Sequence, residues 1–212
     1  MQDASTLTSR DGSAVHGEPA AAAELRVSAG VTLRFHETIL HGAWFIEPTP
    51  AWDHRGFFMR TFCAREFTER GLVATFVQHS ISSSRTIGTV RGMHFQRPPH
   101  QEVKLVTCLK GAVWDVVIDL RKDSPTFARW QGFELTATNR RRLYIPKGFA
   151  HGHQSLSDDT EVGYLISEYY VPDAADGVRH DDPAFAIGWP LRVTAISNRD
   201  RNWPDFALPI RS

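Results

Sequence analysis

Cysteine is scarce in this chain, with only two residues, Cys63 and Cys108, among 212. Their separation matches neither the spacing of metal ligands nor that of a redox pair, so the sequence offers no disulfide framework and no zinc module. Such low cysteine usage is typical of a reducing compartment. We therefore expect a cytoplasmic protein.

The chain also lacks an excess of charge of either sign. Lysine and arginine together number 24, as do aspartate and glutamate, so the formal net charge at pH 7 is zero. Without a basic stripe, we do not expect nucleic acid as the main partner. An anionic ligand would have to be held by a local cluster of side chains rather than by the field of the whole protein.

Long apolar runs are missing as well. None approaches the length of a membrane-spanning helix, and the first thirty residues lack the hydrophobic centre of a secretory signal, so we expect no membrane partner. Residues 1–30 are rich in alanine, serine, glycine and charged residues, which predicts a flexible N-terminal extension. Residues 31–212 are long enough for a single domain with a substantial core.

What the chain does contain is a series of short segments rich in β-branched or aromatic residues, separated by turn-forming residues. A single short helix is predicted before them, at "AREFTERGL". Eight or more strand-like segments follow at nearly regular spacing, among them "TFVQHSIS", "TVRGMHFQ", "AVWDVVIDL" and "TEVGYLISEYY". This spacing predicts an all-β sandwich or barrel rather than alternating strands and helices.

Two of the segments are similar to the paired motifs of the cupin superfamily. "PKGFAHG" matches the second motif at Pro146, Gly148 and His151, and "RGMHFQ" stands where the first motif would lie. This similarity implies a cupin-type double-stranded β-helix, which is a jelly-roll barrel, with short flanking helices.

A metal centre is not favoured in this barrel. Where a metal-binding cupin has a second histidine in the first motif, this chain has Gln96, two residues after His94. Lys104 follows, and its charge would repel a cation at that place. His153 and Glu102 remain available as substitute ligands. We expect a barrel without a metal ion or other cofactor.

Strand parity allows three reactive side chains to share the barrel interior. Because alternate residues of a strand face the same side, His94, Lys104 and Tyr164 can each point inward from their own strands. A barrel of about eight strands has room for one small ligand at its centre.

The ordered sequence blocks resemble the dTDP-4-dehydrorhamnose 3,5-epimerase family of nucleotide-sugar epimerases, a metal-free branch of the cupins. The resemblance covers roughly residues 40 to 205, in the blocks "DHRGFF", "FVQ", "RGMHFQ", "KLV", "DVVIDLRKDSPTF", "IPKGFAHG", "GYLISEYY", "DDPAFAIGWP" and "SNRD". Each block alone is weak, whereas their joint order and spacing are highly specific. The resemblance implies an isomerase that epimerises an NDP-4-keto-6-deoxyhexose, of the dTDP-4-dehydro-6-deoxyglucose type, at C3 and C5.

The resemblance also implies a role for each of four catalytic residues. His94 matches the general base that removes a proton from the carbon beside the C4 ketone, and Asp200 matches the carboxylate that orients this histidine. Lys104 matches the cation that stabilises the enolate oxygen. Tyr164 matches the general acid that reprotonates the carbon from the opposite face. Taken singly, each of these residues would more often be ordinary core or surface filler, and only their joint occurrence favours catalysis.

Further residues match the family's substrate-binding positions. The resemblance implies that the diphosphate and the sugar are held by Arg55, Gln78, Arg91 and His151. Tyr170 matches a residue whose ring stacks on the nucleotide base. The arginine of "DHRGFF" commonly reaches in from a second subunit in the family, so a homodimer is implied.

The rim of the implied site departs from the family pattern. Arg60 stands where an acidic residue is usual, and His79 and Ser80 replace an aspartate and an asparagine. Ala175 replaces a glutamate, and Arg199 replaces a lysine at a substrate-contacting position. Exchanging an acid for a base changes the local charge by about two units and can alter which group is held. Arg60, Ser80 and Arg199 are therefore candidate substrate contacts, and the reaction class is better determined than the substrate.

Three other functions remain open at this point. The first is a C3-only epimerase or a ketoisomerase acting on a different nucleotide sugar, although Tyr164 counts against an isomerase. The second is a non-catalytic cupin that binds a nucleotide sugar, although mere binding does not need an acid and a base on opposite faces. The third is a metal cupin oxygenase, which would contain stoichiometric transition metal.

Overall fold

The computed structural model describes residues 31–207. The predicted N-terminal extension, residues 1–30, lies outside the described residues, as do residues 208–212. The expectation of a flexible extension therefore stays a prediction.

Thirteen strands form the framework of residues 31–207. They are β1 (Leu33–Glu37), β2 (Trp44–Pro48), β3 (Ala51–Asp53), β4 (Gly56–Phe58), β5 (Gln78–Ser84), β6 (Val90–Gln96), β7 (Lys104–Lys110), β8 (Ala112–Asp119), β9 (Trp130–Thr136), β10 (Arg142–Ile145), β11 (Phe149–Ser155), β12 (Thr160–Ile166) and β13 (Ala175–Gly177).

The helices in this part of the chain are short, one lying between β4 and β5 and the other after β13. α1 spans Ala64–Thr68, within the segment for which the sequence predicts a helix, and α2 spans Asn198–Arg201. A single 3-10 turn spans Pro172–Ala174. The chain reverses after α1 at Gly71, whose φ of 69° lies in the left-handed region that glycine adopts without strain. In residues 31–207, no helix has the length and apolar character needed to cross a membrane.

The strands form two sheets and one separate hairpin. One sheet has six strands in the order β1-β2-β10-β7-β12-β5, and the other has five in the order β13-β6-β11-β8-β9. β3 and β4 pair only with each other, and every pairing between these strands is antiparallel. Sequential strands repeatedly change sheets, as they do in a jelly roll. The predicted all-β class is confirmed.

The main core lies between the inner faces of the two sheets. The six-stranded sheet contributes Val106, Cys108, Leu143 and Val162, and the five-stranded sheet contributes Val113, Val117, Leu135 and Phe149. These side chains follow the alternation expected of half-buried strands, because every second residue faces inward.

Both outer faces are covered as well. Phe67 of α1 packs with Leu105 and Tyr144 on the six-stranded sheet. Phe185 and Ile187, from the segment that follows β13, pack on the five-stranded sheet. For this reason β11 is buried along its whole length, including its inward-facing polar residues. A strand of an antiparallel sheet with one solvated face could place such polar residues in solvent instead.

A buried carboxylate ties the end of β8 to the loop that follows. Asp119 is fully buried and accepts hydrogen bonds from the side chains of Arg121, Ser124 and Thr126. Burial by itself raises the pKa of Asp119, but the hydrogen bonds from these three side chains and from the Arg121 backbone N–H outweigh it and hold the pKa below its ordinary value. The block "DVVIDLRKDSPTF" thus contains a clamp on this loop.

We expect Asp119→Asn to lower the free energy of unfolding by about 2 kcal/mol at neutral pH, because an amide cannot accept the same charge-assisted hydrogen bonds. The folded pKa of Asp119 is depressed, so its stabilisation is complete above the unfolded pKa of about 4 and is lost as the pH falls through the folded value. Urea unfolding at several pH values down to about 3 measures the gap between wild type and variant. A gap that does not shrink on acidification would contradict an ionised clamp.

Candidate active site

Two adjoining cavities open between the sheets. The larger has a volume of about 470 Å³ and the smaller about 330 Å³. Both are lined by His94, Lys104, Ile166 and Arg199, so a single extended ligand can occupy them together. Volumes of this size are typical of small-molecule sites.

The imidazole of His94 and the carboxylate of Asp200 form a dyad on the five-stranded side of the larger cavity. His94 Nε2 lies 2.7 Å from Asp200 Oδ1, and Asp200 Oδ2 accepts a bond of 3.2 Å from the backbone N–H of Gly92. Ser197 Oγ accepts from the backbone N–H of Asp200 at 3.0 Å, which caps α2 and fixes the carboxylate. The other ring nitrogen of His94, Nδ1, is left for a ligand.

The two members of the dyad differ in exposure. Asp200 is only 5% exposed, whereas the His94 side chain is 46% exposed in the cavity wall. Burial would raise the pKa of Asp200, but its bonds from His94, Gly92 and Ser197 outweigh burial and keep the pKa below its usual range. The carboxylate therefore stays ionised and holds the imidazole of His94 in one orientation.

Glycines bring the two strands behind His94 unusually close. A Cβ on Gly92 would lie 2.4 Å from the Cα of Gly152 on β11, and a Cβ on Gly152 would lie 2.7 Å from the carbonyl oxygen of Arg91. The register of β6 and β11 shifts at this point, between His151 and His153. Only residues without a side chain allow this approach, which leaves His94 directly opposite His151.

A buried ion pair stands on the opposite wall, at the start of β7. Lys104 Nζ lies 3.0 Å from Glu102 Oε1, and the two side chains are 12% and 7% exposed. Lys104 Nζ also donates to the backbone carbonyl of His94 at 3.4 Å. An ammonium group fixed beside the imidazole can stabilise negative charge that develops on a ligand there.

Tyr164 extends from β12 on the same wall as Lys104. Its hydroxyl lies 3.0 Å from Ser82 Oγ on β5 and 3.5 Å from His153 Nδ1 on β11. Enclosure in the barrel raises the pKa of Tyr164 far above its ordinary value, and the bond with Ser82 opposes this only in part. The phenol therefore keeps its proton at neutral pH and can act as an acid.

A second histidine–aspartate pair lies deeper in the larger cavity. His151 Nε2 lies 2.9 and 3.0 Å from the two carboxylate oxygens of Asp115, which is fully buried. The His151 ring meets the Tyr164 ring edge-on, with centroids 6.1 Å apart. This pair holds the imidazole in one orientation next to the phenol.

The structure brings ten of the twelve sequence-predicted site residues to the two cavities. The larger cavity is lined by Ser80, Arg91, His94, Lys104, His151, Tyr164, Arg199 and Asp200, and the smaller by Gln78, His94, Lys104, Tyr170 and Arg199. Three of these side chains are held by further contacts: Arg91 donates to Ser84 Oγ and to the Ser83 carbonyl, Gln78 Oε1 accepts from the Tyr170 N–H, and the Arg199 guanidinium lies over the Trp203 ring.

The other two predicted residues lie elsewhere in this chain. Arg55 is at the end of the β3–β4 hairpin, where its Nη2 pairs with Asp53 Oδ2 at 2.6 Å and its side chain is 78% exposed. Arg60 Nη1 donates to the Val31 carbonyl at 3.1 Å and lies 3.6 Å from Glu66 Oε1. Neither lines either cavity.

Sequence reasoning gave no role in catalysis or substrate binding to four residues that the structure places at the site: Ser82, Glu102, Asp115 and His153. Two of them could have been found from their spacing, because Glu102 lies two residues before Lys104 and His153 lies two residues after His151. Residues two apart along a strand face the same side. Asp115 interrupts an otherwise apolar strand, which also marks a buried partner for some polar group. Ser82 carried no signal of its own.

A metal site would need at least three ligand side chains that converge on one point. Between residues 31 and 207, no group of three or more histidine, cysteine, aspartate or glutamate side chains is placed to hold a metal ion. His153 and Glu102, the substitute ligands left open by the sequence, have other neighbours in Tyr164 and Lys104. The expectation of a metal-free site stays a prediction.

The chain is similar to known proteins over most of its length. A family model described as dTDP-4-dehydrorhamnose 3,5-epimerase matches residues 37–207. The dTDP-4-dehydrorhamnose 3,5-epimerase of Methanothermobacter thermautotrophicus is 46% identical over 80% of this chain and 92% of its own length. The dTDP-4-dehydrorhamnose 3-epimerase of Streptomyces niveus is 38% identical over 80% of this chain and 82% of its own length.

Solved structures match in fold as well as in sequence. The Bacillus anthracis dTDP-4-dehydrorhamnose 3,5-epimerase with TDP and PPi bound has a TM-score of 0.80 and 41% identity, and the match covers 82% of this chain and all of that one. The Legionella pneumophila 3,5-epimerase in complex with dTDP-4-keto-L-rhamnose has a TM-score of 0.75 and 38% identity, over 80% of this chain and 90% of that one. The predicted jelly-roll fold is confirmed.

We expect Glu102→Gln to lower the free energy of unfolding by about 2 kcal/mol, because it leaves the ammonium of Lys104 buried without a compensating charge. Glu134→Gln is the matched control: Glu134 is exposed on β9, and we expect its substitution to change stability by less than about 0.5 kcal/mol. Urea unfolding of the three proteins at neutral pH makes the comparison. Equal stability of the two variants would show that Glu102 does not compensate Lys104.

Proposed function

The chain belongs to the dTDP-4-dehydrorhamnose 3,5-epimerase family, and from that premise we propose how its own residues carry out the reaction. The chain is an isomerase that epimerises a dTDP-4-keto-6-deoxyhexose at C3 and C5. One observation carries the assignment of roles: an imidazole on one sheet faces a phenol and an ammonium on the other, across a cavity that fits one sugar.

His94 is the proposed general base. The proton on the carbon beside a ketone is acidic because its loss gives an enolate, and a base must reach it from one face of the sugar ring. His94 Nδ1 is the ring nitrogen that is not bonded to Asp200, and it belongs to the cavity wall. When the ring accepts the proton, the adjacent carboxylate of Asp200 stabilises the imidazolium.

Lys104 is the proposed stabiliser of the enolate oxygen. As the proton leaves, negative charge moves to the oxygen on C4, and a fixed ammonium next to the base lowers the energy of that state. Glu102 holds the ammonium at 3.0 Å, so the cation is in place before the substrate arrives. Pre-placed charge needs no reorganisation during the reaction.

Tyr164 is the proposed general acid. It stands on the six-stranded sheet, whereas His94 stands on the five-stranded sheet, so the two can address opposite faces of a sugar between them. Delivery of a proton to the face opposite to the one that was deprotonated inverts the carbon. The raised pKa of the phenol keeps this proton available at neutral pH.

The remaining predicted contacts divide between the two cavities. We propose that Arg91, His151 and Ser80, in the larger cavity, hold the sugar and the adjoining phosphate oxygens. Gln78 and Tyr170, in the smaller cavity, are the proposed contacts for the nucleotide, with the Tyr170 ring 57% exposed and free to stack on a base. Arg199 borders both cavities and is suited to the diphosphate between them.

A homodimer is proposed to complete the site. Arg55 sits on a hairpin with Trp52, Phe57 and Phe58, whose side chains are 63%, 43% and 62% exposed. An apolar hairpin of this kind is suited to burial against a second copy, and its arginine could then enter the partner's cavity. Arg60 remains a proposed contact at the rim, and a cytoplasmic location is proposed from the low cysteine usage.

The reaction is tested by incubating the protein with dTDP-4-keto-6-deoxyglucose in deuterated water and following C3 and C5 by NMR. We expect deuterium at both carbons, and we expect His94→Ala to slow its incorporation about 1000-fold because the base is lost. His36→Ala, on the exposed strand β1, is the control histidine and should leave the rate unchanged.

The outcomes separate the proposal from its alternatives. Exchange at C3 alone would favour the 3-epimerase activity that the Streptomyces niveus relative is named for. Tight binding of the substrate without exchange would favour a non-catalytic binding protein. Undiminished exchange by His94→Ala would remove His94 from its role.

The dimer is tested by mixing two inactive variants, His94→Ala and Arg55→Ala. If Arg55 acts in the partner's cavity, each heterodimer contains one site in which both residues are intact, and activity returns on mixing. If Arg55 acts within its own chain, both sites of the heterodimer stay defective. Subunit exchange is confirmed by native mass spectrometry, and a mixture that exchanges subunits but stays inactive contradicts the shared site.

A further inference from the structure

His153 is a buried ionisable side chain next to Tyr164, one of the proposed catalytic residues. It lies on the inward face of β11, two residues beyond His151, and is 1% exposed. Its Nδ1 lies 3.5 Å from the Tyr164 hydroxyl oxygen. Its Nε2 is buried and has no hydrogen-bond partner among residues 31–207. The proposed mechanism gives this ring no task.

The ring is neutral at any pH at which the protein would work. Burial lowers the pKa of His153 to about 3, and the neighbouring charges of His151, Arg91 and His94 act in the same direction. A neutral imidazole carries one proton, on either Nδ1 or Nε2, and the two tautomers offer Tyr164 opposite kinds of hydrogen bond.

The unpartnered nitrogen indicates which tautomer is present. An orphaned buried N–H group is rarer in folded proteins than an acceptor left without a donor. Nε2, which has no partner, is therefore the nitrogen without the proton, and Nδ1–H faces Tyr164. Hydrogen bonds of catalytic groups are often long before the substrate is bound, which fits the separation of 3.5 Å.

If His153 Nδ1–H donates to the phenol oxygen, the O–H group of Tyr164 does not have to donate to His153. The phenol oxygen can accept two hydrogen bonds and donate one. If Ser82 and His153 both donate to it, the Tyr164 O–H has no protein acceptor in this group and can point at the substrate. If His153 accepted instead, the phenol proton would be directed into the wall.

We propose that His153 is a positioning residue for Tyr164: its Nδ1–H donates to the phenol oxygen, directs the Tyr164 proton into the cavity and stabilises the phenolate after transfer. In that step the O–H bond of Tyr164 breaks as a C–H bond forms on the enolate carbon. The proton taken from the substrate stays on His94, and exchange with solvent restores both side chains. This inference rests on the proposed function.

The test compares two substitutions that differ in one donor. His153→Phe keeps a ring of similar size without the N–H, and His153→Asn places an amide N–H near the position of Nδ1. Each is incubated with dTDP-4-keto-6-deoxyglucose in deuterated water, and two rates at C3 are recorded: inversion, and deuterium entry into recovered substrate that has not inverted. The second rate reports His94 alone, because a deuteron returned by the base restores the original configuration.

We expect His153→Phe to slow inversion about tenfold, while deuterium entry and KM stay within about twofold of wild type. His153→Asn should recover most of the inversion rate. Equal slowing of both rates in His153→Phe would indicate a merely structural role, and unchanged rates would indicate none. Either result overturns the proposal, and thermal unfolding of both variants accompanies the rates.

Nitrogen-15 NMR of the substrate-free protein decides the tautomer independently of activity. We expect the His153 signals of an Nδ1-protonated neutral ring, and an Nε2-protonated ring would overturn the inference. If the wild-type protein showed no exchange at either carbon, the proposed function would fail. The tautomer measurement would still decide the hydrogen bond between His153 and Tyr164.

Discussion

The hydrogen bond of 2.7 Å between His94 Nε2 and Asp200 Oδ1 is the interaction on which the proposed site depends, because it orients a half-exposed histidine, the proposed base. Its two partners are 106 residues apart in the chain. Asp200 reaches the ring only after the C-terminal segment has packed on the five-stranded sheet, where the Val90 N–H donates to the Ala195 carbonyl and Ser197 caps α2. The packing of the C-terminal segment on the five-stranded sheet therefore also brings Asp200 to His94, the proposed base.

The chemistry is divided between the two sheets of the barrel. His94, the proposed base, and Asp200 belong to the five-stranded side, whereas the ammonium of Lys104 and the phenol of Tyr164 belong to the six-stranded side. Sheets packed face to face stand about 10 Å apart. Where the inward-facing side chains are polar and do not fill the centre, this distance leaves space for one sugar ring. Groups on the two walls can then address opposite faces of that ring. Packed side chains cover the outer faces of both walls.

The predictions from sequence succeeded where residues alternate regularly along a strand or where several characteristic residues lie close together in one motif. Alternation along the strands placed His94, Lys104 and Tyr164 on the inner face, and each lines the larger cavity. The sequence also predicted the all-β barrel, because turn-forming residues divide short strands at regular spacing. Arg55 and Arg60 were assigned by resemblance alone, and the structure places both away from the cavities of their own chain. The position of a residue in a motif does not show whether its side chain acts in the cavity of its own subunit or in that of a partner subunit.

From the sequence alone, local periodicity predicted most of the strands and allowed His94, Lys104 and Tyr164 to face inward. The reaction class came from the family resemblance, which rests on the order of the motifs along the chain. Only the tertiary structure decided three pairs of partners: Asp115 with His151, Glu102 with Lys104, and His153 with Tyr164. Apart from Glu102 and Lys104, these pairs join residues of different strands or segments, at distances set by sheet order, register and the close approach of Gly92 to Gly152. Such contacts arise from packing in three dimensions, so the alternation of residues along one strand cannot predict them.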